Sequence, residues 1–163
     1  MTWTQEFQKA RGTAPTLSHI EDFNGLVALA NTVGQGLQRG EVSSRQIRVL
    51  LSETTAGISR IRRGKTLGAE WDPNLVVQSD KTAQEKRTIR QEQENKAARQ
   101  EAALLNITLI YSAARGKKGT AAIQDLAELL KVMTAHVRSF EDFKVLRKFS
   151  EAVMAYFKFH GGK

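Results

Sequence analysis

Apolar residues recur at three- and four-residue steps along much of the chain, the spacing of one face of an α-helix. In residues 43–64 the stripe is Ile47, Leu50, Leu51, Thr54, Ile58 and Ile61. Both ends of that helix are marked: Ser43 and Gln46 have the spacing of a capping box, and Gly64 suits the left-handed residue just past a last turn. Residues 20–37 carry Phe23, Leu26, Val27, Ala30, Val33 and Leu37 at the same steps. Gly25, Gly34 and Gly36 weaken that helix, each by up to about 1 kcal/mol relative to Ala. Residues 120–138 place Ile123, Leu126, Leu130, Met133 and Val137 on one side. This is also the spacing of a coiled-coil seam, but so short a run more often means a bundle core. Ser139 is positioned to cap a last helix, with Asp142 three residues on. Phe140, Phe143, Leu146, Phe149, Val153, Tyr156 and Phe157 give that helix a broad aromatic face.

Between these segments the pattern changes. Residues 80–101 are charged almost throughout and show no apolar stripe before Ala97. Their composition favours a solvated helix, with Glu92 and Lys96 as an i,i+4 pair. From Ala102 the same helix turns apolar on nearly every side, which predicts a buried central helix over 102–115. Residues 1–18 read as a loose arm, although Trp3 and Phe7 offer docking side chains. Residues 38–42 form a turn, and 64–74, with Gly68 and Pro73, form a break that Trp71 pins to the body. Two prolines and few alternating β-branched residues argue against a sheet. The expectation is an all-α chain, one domain over 1–163, built as an antiparallel five-helix bundle with short turns. The 1–18 arm and a charged insert over 64–100 stand apart from its core.

Charge adds a partner class. The 163 residues hold 25 Lys+Arg and 17 Asp+Glu, a formal charge of +8, which points to a polyanion, nucleic acid first. At about 100° per residue, Arg48 and Arg62 lie on one flank of the 43–64 stripe, with Arg45 and Arg63 further round. Ser52, Thr55 and Ser59 lie between them. From Arg48 to Arg62 this rail runs roughly 20 Å at 1.5 Å per residue. A charged flank is often just a solvated helix face. Here no acid interrupts it and four of its residues are Arg. Residues 115–119, RGKKG, add a basic turn with Arg115, Lys117 and Lys118.

Catalytic patterns are not found. Gly64-Lys65-Thr66 resembles the end of a phosphate loop, but the position five before Gly64 is Ser59 and a helix stands where the motif needs a strand. His19, His136 and His160 are scattered and lack metal-ligand spacing. Glu141–Asp142 and Glu21–Asp22 sit at helix starts, where acids complement the dipole. Without cysteine there is no disulfide and no thiolate site. No apolar run reaches transmembrane length and no leader pattern opens the chain. The reading is a cytoplasmic protein that is not an enzyme, binds no cofactor or metal and does not enter a membrane. Its aromatic residues fall in core stripes. Nucleic acid would therefore be held through the backbone, without base readout.

Three segments together resemble one family, the small subunit of type III-A CRISPR interference complexes (the Csm complex). Residues 43–53 (SSRQIRVLLSE) are similar to its pattern of Ser/Thr, an apolar residue and then Arg or Lys at a helix start. Residues 109–118 (LIYSAARGKK) resemble a Leu-x-Tyr-x-Ala-Gly-Arg segment, with Ala114 where the family often has Gly. Residues 146–160 (LRKFSEAVMAYFKFH) resemble its Phe-x-Glu-Ala ending with a downstream Ala-Tyr-x-Lys-aromatic. The 64–100 insert is longer than usual for it. The resemblance implies a non-catalytic helical protein whose copies stack along a duplex of guide RNA and target RNA. They lie beside the backbone subunits that cleave the target, and touch the large multidomain subunit. Carried over by position, Arg48 is the basic residue of the first segment and Arg115 that of the second. Arg45, Arg62, Arg63, Lys117 and Lys118 join them on the reading of the charges themselves. Two other readings compete: a scaffold protein of another nucleoprotein complex, whose charge fits acidic neighbours, and a small DNA-binding regulator. The absence of a clear helix-turn-helix turn weighs against the second.

Overall fold

The computed structural model describes residues 1–115 and 120–163. Among the described residues the fold is all-helical and contains no strand, as the periodicity predicts. The helices are α1 (Trp3–Arg11), α2 (Phe23–Arg39), α3 (Ser44–Arg63), α4 (Pro73–Gln78), α5 (Ala83–Arg115), α6 (Thr120–Thr134) and α7 (Phe140–Phe159). A turn of 3-10 helix, Leu17–His19, links α1 to α2.

Among the described residues seven helices stand where five are expected, and both additions have local causes. Thr2 and Gln5 close a capping box. Trp3, Phe7 and Ala10 share one face, so the segment expected to be a loose arm folds as α1 and docks. Phe7 is fully buried and meets the His136 ring edge-on at 5.9 Å. Within the expected break, Asp72 caps α4 and Pro73 opens it, where its fixed φ and missing N–H suit a first turn. The expected caps of α3 and α7 form. Ser43 pairs with Gln46 and Ser139 with Asp142, each as a capping box. Gly64 ends α3 in the left-handed region at φ 65°.

The central helix is α7, which packs against α2, α3 and α5. Its aromatic face accounts for this: Phe140, Phe143, Leu146, Phe149, Val153 and Phe157 are all buried. Phe23 and Val27 lie beside Val145 and Phe149, and Gly34 lies beside Tyr156 and Phe157, so α2 and α7 run in the same direction. A Cβ on Gly34 would come within 2.7 Å of the Phe157 backbone nitrogen. The glycine that weakens α2 by propensity thus admits α7. Helix α3 runs back against α7. Lys158 Nζ donates to Ser44 Oγ at one end (2.8 Å), and Gly57 faces the Phe143 ring further along. The bundle is therefore of mixed direction rather than antiparallel throughout.

Helix α5 is continuous over 33 residues, roughly 50 Å. Its first half is solvated, as expected, and burial begins at Ala97. The ion pair there is Arg90–Glu94 (3.1 Å) in place of the expected Glu92–Lys96. The 102–115 stretch is not buried on every side. Ala102, Leu105, Leu109 and Ala113 face the bundle, while Ile107, Ile110 and Tyr111 are 65 %, 59 % and 61 % exposed. The principal neighbours α3, α6 and α7 cover one side of the helix and leave the other open.

Asp142 ties the start of α7 to the α1–α2 connection. Its carboxylate accepts from Ser18 N (2.7 Å), Arg138 N, Ser139 N and Ser139 Oγ (2.9 Å each). Burial alone would push this carboxyl up, but the hydrogen bonds from Ser18 and Arg138 more than offset it and hold it at about 2, below its ordinary 3.8. A depressed acid stabilises the fold above its unfolded pKa and loses that contribution as pH falls through the folded one. Roughly 2 kcal/mol is expected to disappear between about pH 4 and pH 2. In Asp142→Asn, chemical denaturation followed by circular dichroism should show a flatter pH dependence in that window and lower stability at pH 7. An unchanged acid limb would remove Asp142 from this role.

Candidate nucleic-acid interface

The inward stripe of α3 is Ile47, Leu50, Thr54, Gly57 and Ile61, all buried. The same rotation leaves Arg45, Arg48, Arg62 and Arg63 exposed, with Ser52 and Thr55 exposed and Ser59 half-buried between them. Arg60 is the exception among the arginines of α3. Its Nε and Nη2 donate to the two carboxylate oxygens of Glu101 on α5 (2.8 and 2.7 Å), and Thr66 Oγ1 donates to the same group at 3.1 Å. Glu101 is 1 % exposed. Its hydrogen bonds raise the pKa of Arg60, against the opposing effect of burial. Glu53 adds a looser contact at 3.5 Å.

Arg62 and Arg63 do not stand alone. They form one wall of a groove of about 700 Å³ whose other wall is Lys144, Arg147 and Lys148 of α7, with Thr55, Ile58 and Ser59 on the α3 side. The ring of Phe140 organises one end of it. Arg62 lies 5.9 Å and Lys144 Nζ 4.6 Å from its centroid, so two like charges share one aromatic ring. Glu141 binds Lys144 at 2.6 Å, and Glu151 binds Arg147 at 2.7 Å and Lys148 at 3.3 Å. These carboxylates hold three of the five cations along the outer edge of α7. The arrangement is a cationic trough with hydroxyls in its lining, suited to the oxygens of a phosphodiester chain. The sequence marks Lys144, Arg147 and Lys148 as lying off the aromatic stripe. Which helix stands opposite them is decided only by the packing of α3 on α7.

Arg45 and Arg48 lie toward the opposite end of α3, Arg48 roughly 20 Å from Arg62. Neither has an ion pair among the described residues. Gly40, after α2, lies against Ala122 of α6. The end of α5 and the start of α6 are thus at the end of the bundle where α3 begins. Arg115 closes α5 there, its guanidinium 5.2 Å from the Tyr111 ring and donating to the Tyr111 hydroxyl at 3.1 Å. Lys117 and Lys118 lie outside the described residues. The expected basic face is therefore divided lengthwise. Arg45, Arg48 and Arg115 are at one end, and Arg62, Arg63 and the α7 cations are at the other.

A family model described as Csm2 Type III-A matches residues 77–163, more than half of the chain. The chain belongs to the Csm2 Type III-A family. It is thus a small, structural, non-catalytic subunit of the type III-A Csm effector ribonucleoprotein. The Csm2 match spans the end of α4 and all of α5, α6 and α7. It includes two of the three resembling segments and leaves the Arg48 segment outside. No curated protein matches the chain, and no solved structure does. Among the described residues no cluster of three or more His, Asp or Glu is placed to hold a metal, and no helix is long and apolar enough to cross a membrane.

The two kinds of arginine on α3 should separate by mutation. Arg60→Ala leaves the Glu101 carboxylate buried without its bidentate partner. It should cost roughly 2–3 kcal/mol, less than for a wholly buried pair because the guanidinium is partly solvated. Arg62→Ala should cost within about 1 kcal/mol. Urea unfolding of both variants checks this, and equal costs would contradict the assignment of Arg60 as structural.

Proposed function

We propose that this Csm2-family subunit clamps RNA backbone inside the type III-A complex. Copies of it stack along the duplex of guide RNA and target RNA, beside the backbone subunits and in contact with the large multidomain subunit. The contacts to phosphate and sugar come from Arg45, Arg48, Arg62, Arg63, Arg115, Lys117 and Lys118, joined by Lys144, Arg147 and Lys148. The observation that carries this reading is the trough between α3 and α7, with five cations and two hydroxyl side chains on a chain of charge +8. Its groups are backbone-directed: the Phe140 ring at one end of the trough is buried beneath Arg62 and Lys144 and offers no platform for bases, so affinity should not depend on sequence. A scaffold whose charge serves acidic protein neighbours would also be basic. It would not bind RNA with a steep salt dependence.

RNA binding measured by fluorescence anisotropy over a salt series tests the proposal. Changing Arg48 and Arg62 together to Glu should weaken binding to all RNA sequences alike. It should also flatten the slope of log affinity against log salt, by about one for each phosphate no longer neutralised. The melting temperature should change little. A folded double variant with the original slope would end the claim that α3 faces RNA. Wild-type protein with no salt-dependent RNA binding, alone or in the assembled complex, would favour the scaffold reading.

A further inference from the structure

Among the described residues the exposed aromatic side chains are Phe23, Tyr111 and Phe159. Phe23 and the exposed Val27 line an apolar seam between α2 and α7, beside the acids Glu21 and Asp22. Phe159 meets the His160 ring edge-on at 5.3 Å. Tyr111 differs from both. It is 61 % exposed, and the Arg115 guanidinium, one helical turn on, lies over its ring at 5.2 Å from the centroid. Arg115 Nη1 also donates to the Tyr111 hydroxyl at 3.1 Å. Ring and cation are thus held together as a unit on the open side of α5, and Arg115 covers one face of the ring only.

We infer that Tyr111 is a stacking platform for an unpaired RNA base, with Arg115 beside it to hold the adjoining phosphate. This base contact rests on the RNA binding proposed above and adds a second kind of contact to its phosphate contacts. Every nucleotide carries an aromatic face and an anion side by side, and Tyr111 with Arg115 presents the complement of both. The guanidinium contacts no carboxylate among the described residues. Helix α5 carries no acid after Glu101, and residues 116–119 read GKKG. Arg45 and Arg48 stand at the same end of the bundle. The acids of that end lie on another side: Asp125 and Glu128 line a groove with Trp3, Gly36 and Gly40, and Glu41 follows Gly40. A neutral protein face laid over this unit would bury the Arg115 charge without a counter-ion, whereas a phosphate supplies one. The platform is an exposed helix face, so a base stacked on it keeps its polar edge in water and no hydrogen bond is lost. Bases inside a regular duplex are already stacked on one another. The base held here is therefore in a single strand or looped out of the duplex.

The test titrates the full chain with single-stranded RNA and with a duplex of the same length, and compares Tyr111→Leu with Tyr111→Phe. Leucine keeps an apolar side chain and removes the π-face, so the ratio of single-strand to duplex affinity should fall about tenfold. Phenylalanine keeps the π-face and should keep the wild-type ratio. A fluorescent adenine analogue in the single strand should be quenched on binding by wild type and Tyr111→Phe, and not by Tyr111→Leu. The salt slope should stay unchanged in Tyr111→Leu, since no phosphate contact is removed, and so should the melting temperature, since the ring is exposed. An unchanged affinity ratio in Tyr111→Leu, with salt-dependent binding intact, overturns the stacking and leaves the phosphate contacts standing. Equal losses in the two variants also overturn it, because the hydroxyl that holds Arg115 would then be the contact that matters. A Tyr111→Leu chain that binds both RNAs normally but fails to enter the complex overturns it in favour of a protein neighbour. Wild-type protein without salt-dependent binding to either RNA overturns the phosphate contacts and the base contact together.

Discussion

A carboxylate almost without water sits between α3 and α5. Glu101 is 1 % exposed and is held by two nitrogens of Arg60 and by the hydroxyl of Thr66. A charge so placed is tolerable only when paired and hydrogen-bonded. Its pairing fixes the roll of α3. With Arg60 turned to α5, Arg62 lies about 200° round the helix at 100° per residue, on the side of α7. The orientation of the basic trough thus depends on an ion pair that is not part of it. Gly64 contributes as well. Its left-handed turn brings the chain back so that Thr66 can reach the same carboxylate.

Helix α7 is the second organiser. Asp142 anchors its start to the α1–α2 connection, and Gly34 lets α2 approach its far half. One row of its residues fills the core. The rows beside it serve two different surfaces, a cationic trough toward α3 and an apolar seam toward α2, with Lys144 and Lys148 on the crest between them. Both surfaces therefore move together with a single rigid element.

Much of the fold was legible because its signals are local. Ser43 with Gln46, Ser139 with Asp142, and Gly64 each announce a helix end through groups within four residues, and all three ends form there. The solvated first half of α5 is equally local, a matter of missing apolar positions before Ala97. Helix α1 was legible in principle, through Thr2, Gln5 and the Trp3–Phe7–Ala10 face, but its polar composition and the glycine after it masked the pattern. What misled was apolar content taken as burial. The 102–115 stretch is greasy on most sides, and Ile107, Ile110 and Tyr111 nevertheless face outward.

The candidate site divides along the same line. The sequence by itself determined that Arg45, Arg48, Arg62 and Arg63 project beside an apolar stripe, because 3.6 residues per turn ties each side chain to its neighbours on the same helix. It likewise determined the all-helical class, the position of most helix ends and, through segments in order, the family. Only the tertiary structure decided that Lys144, Arg147 and Lys148 complete the trough, that Arg60 turns inward, and that Phe23 and Val27 remain uncovered. The reason is physical. Helical periodicity specifies which side of a helix is buried, but it contains no information about which partner buries it, or from how many sides.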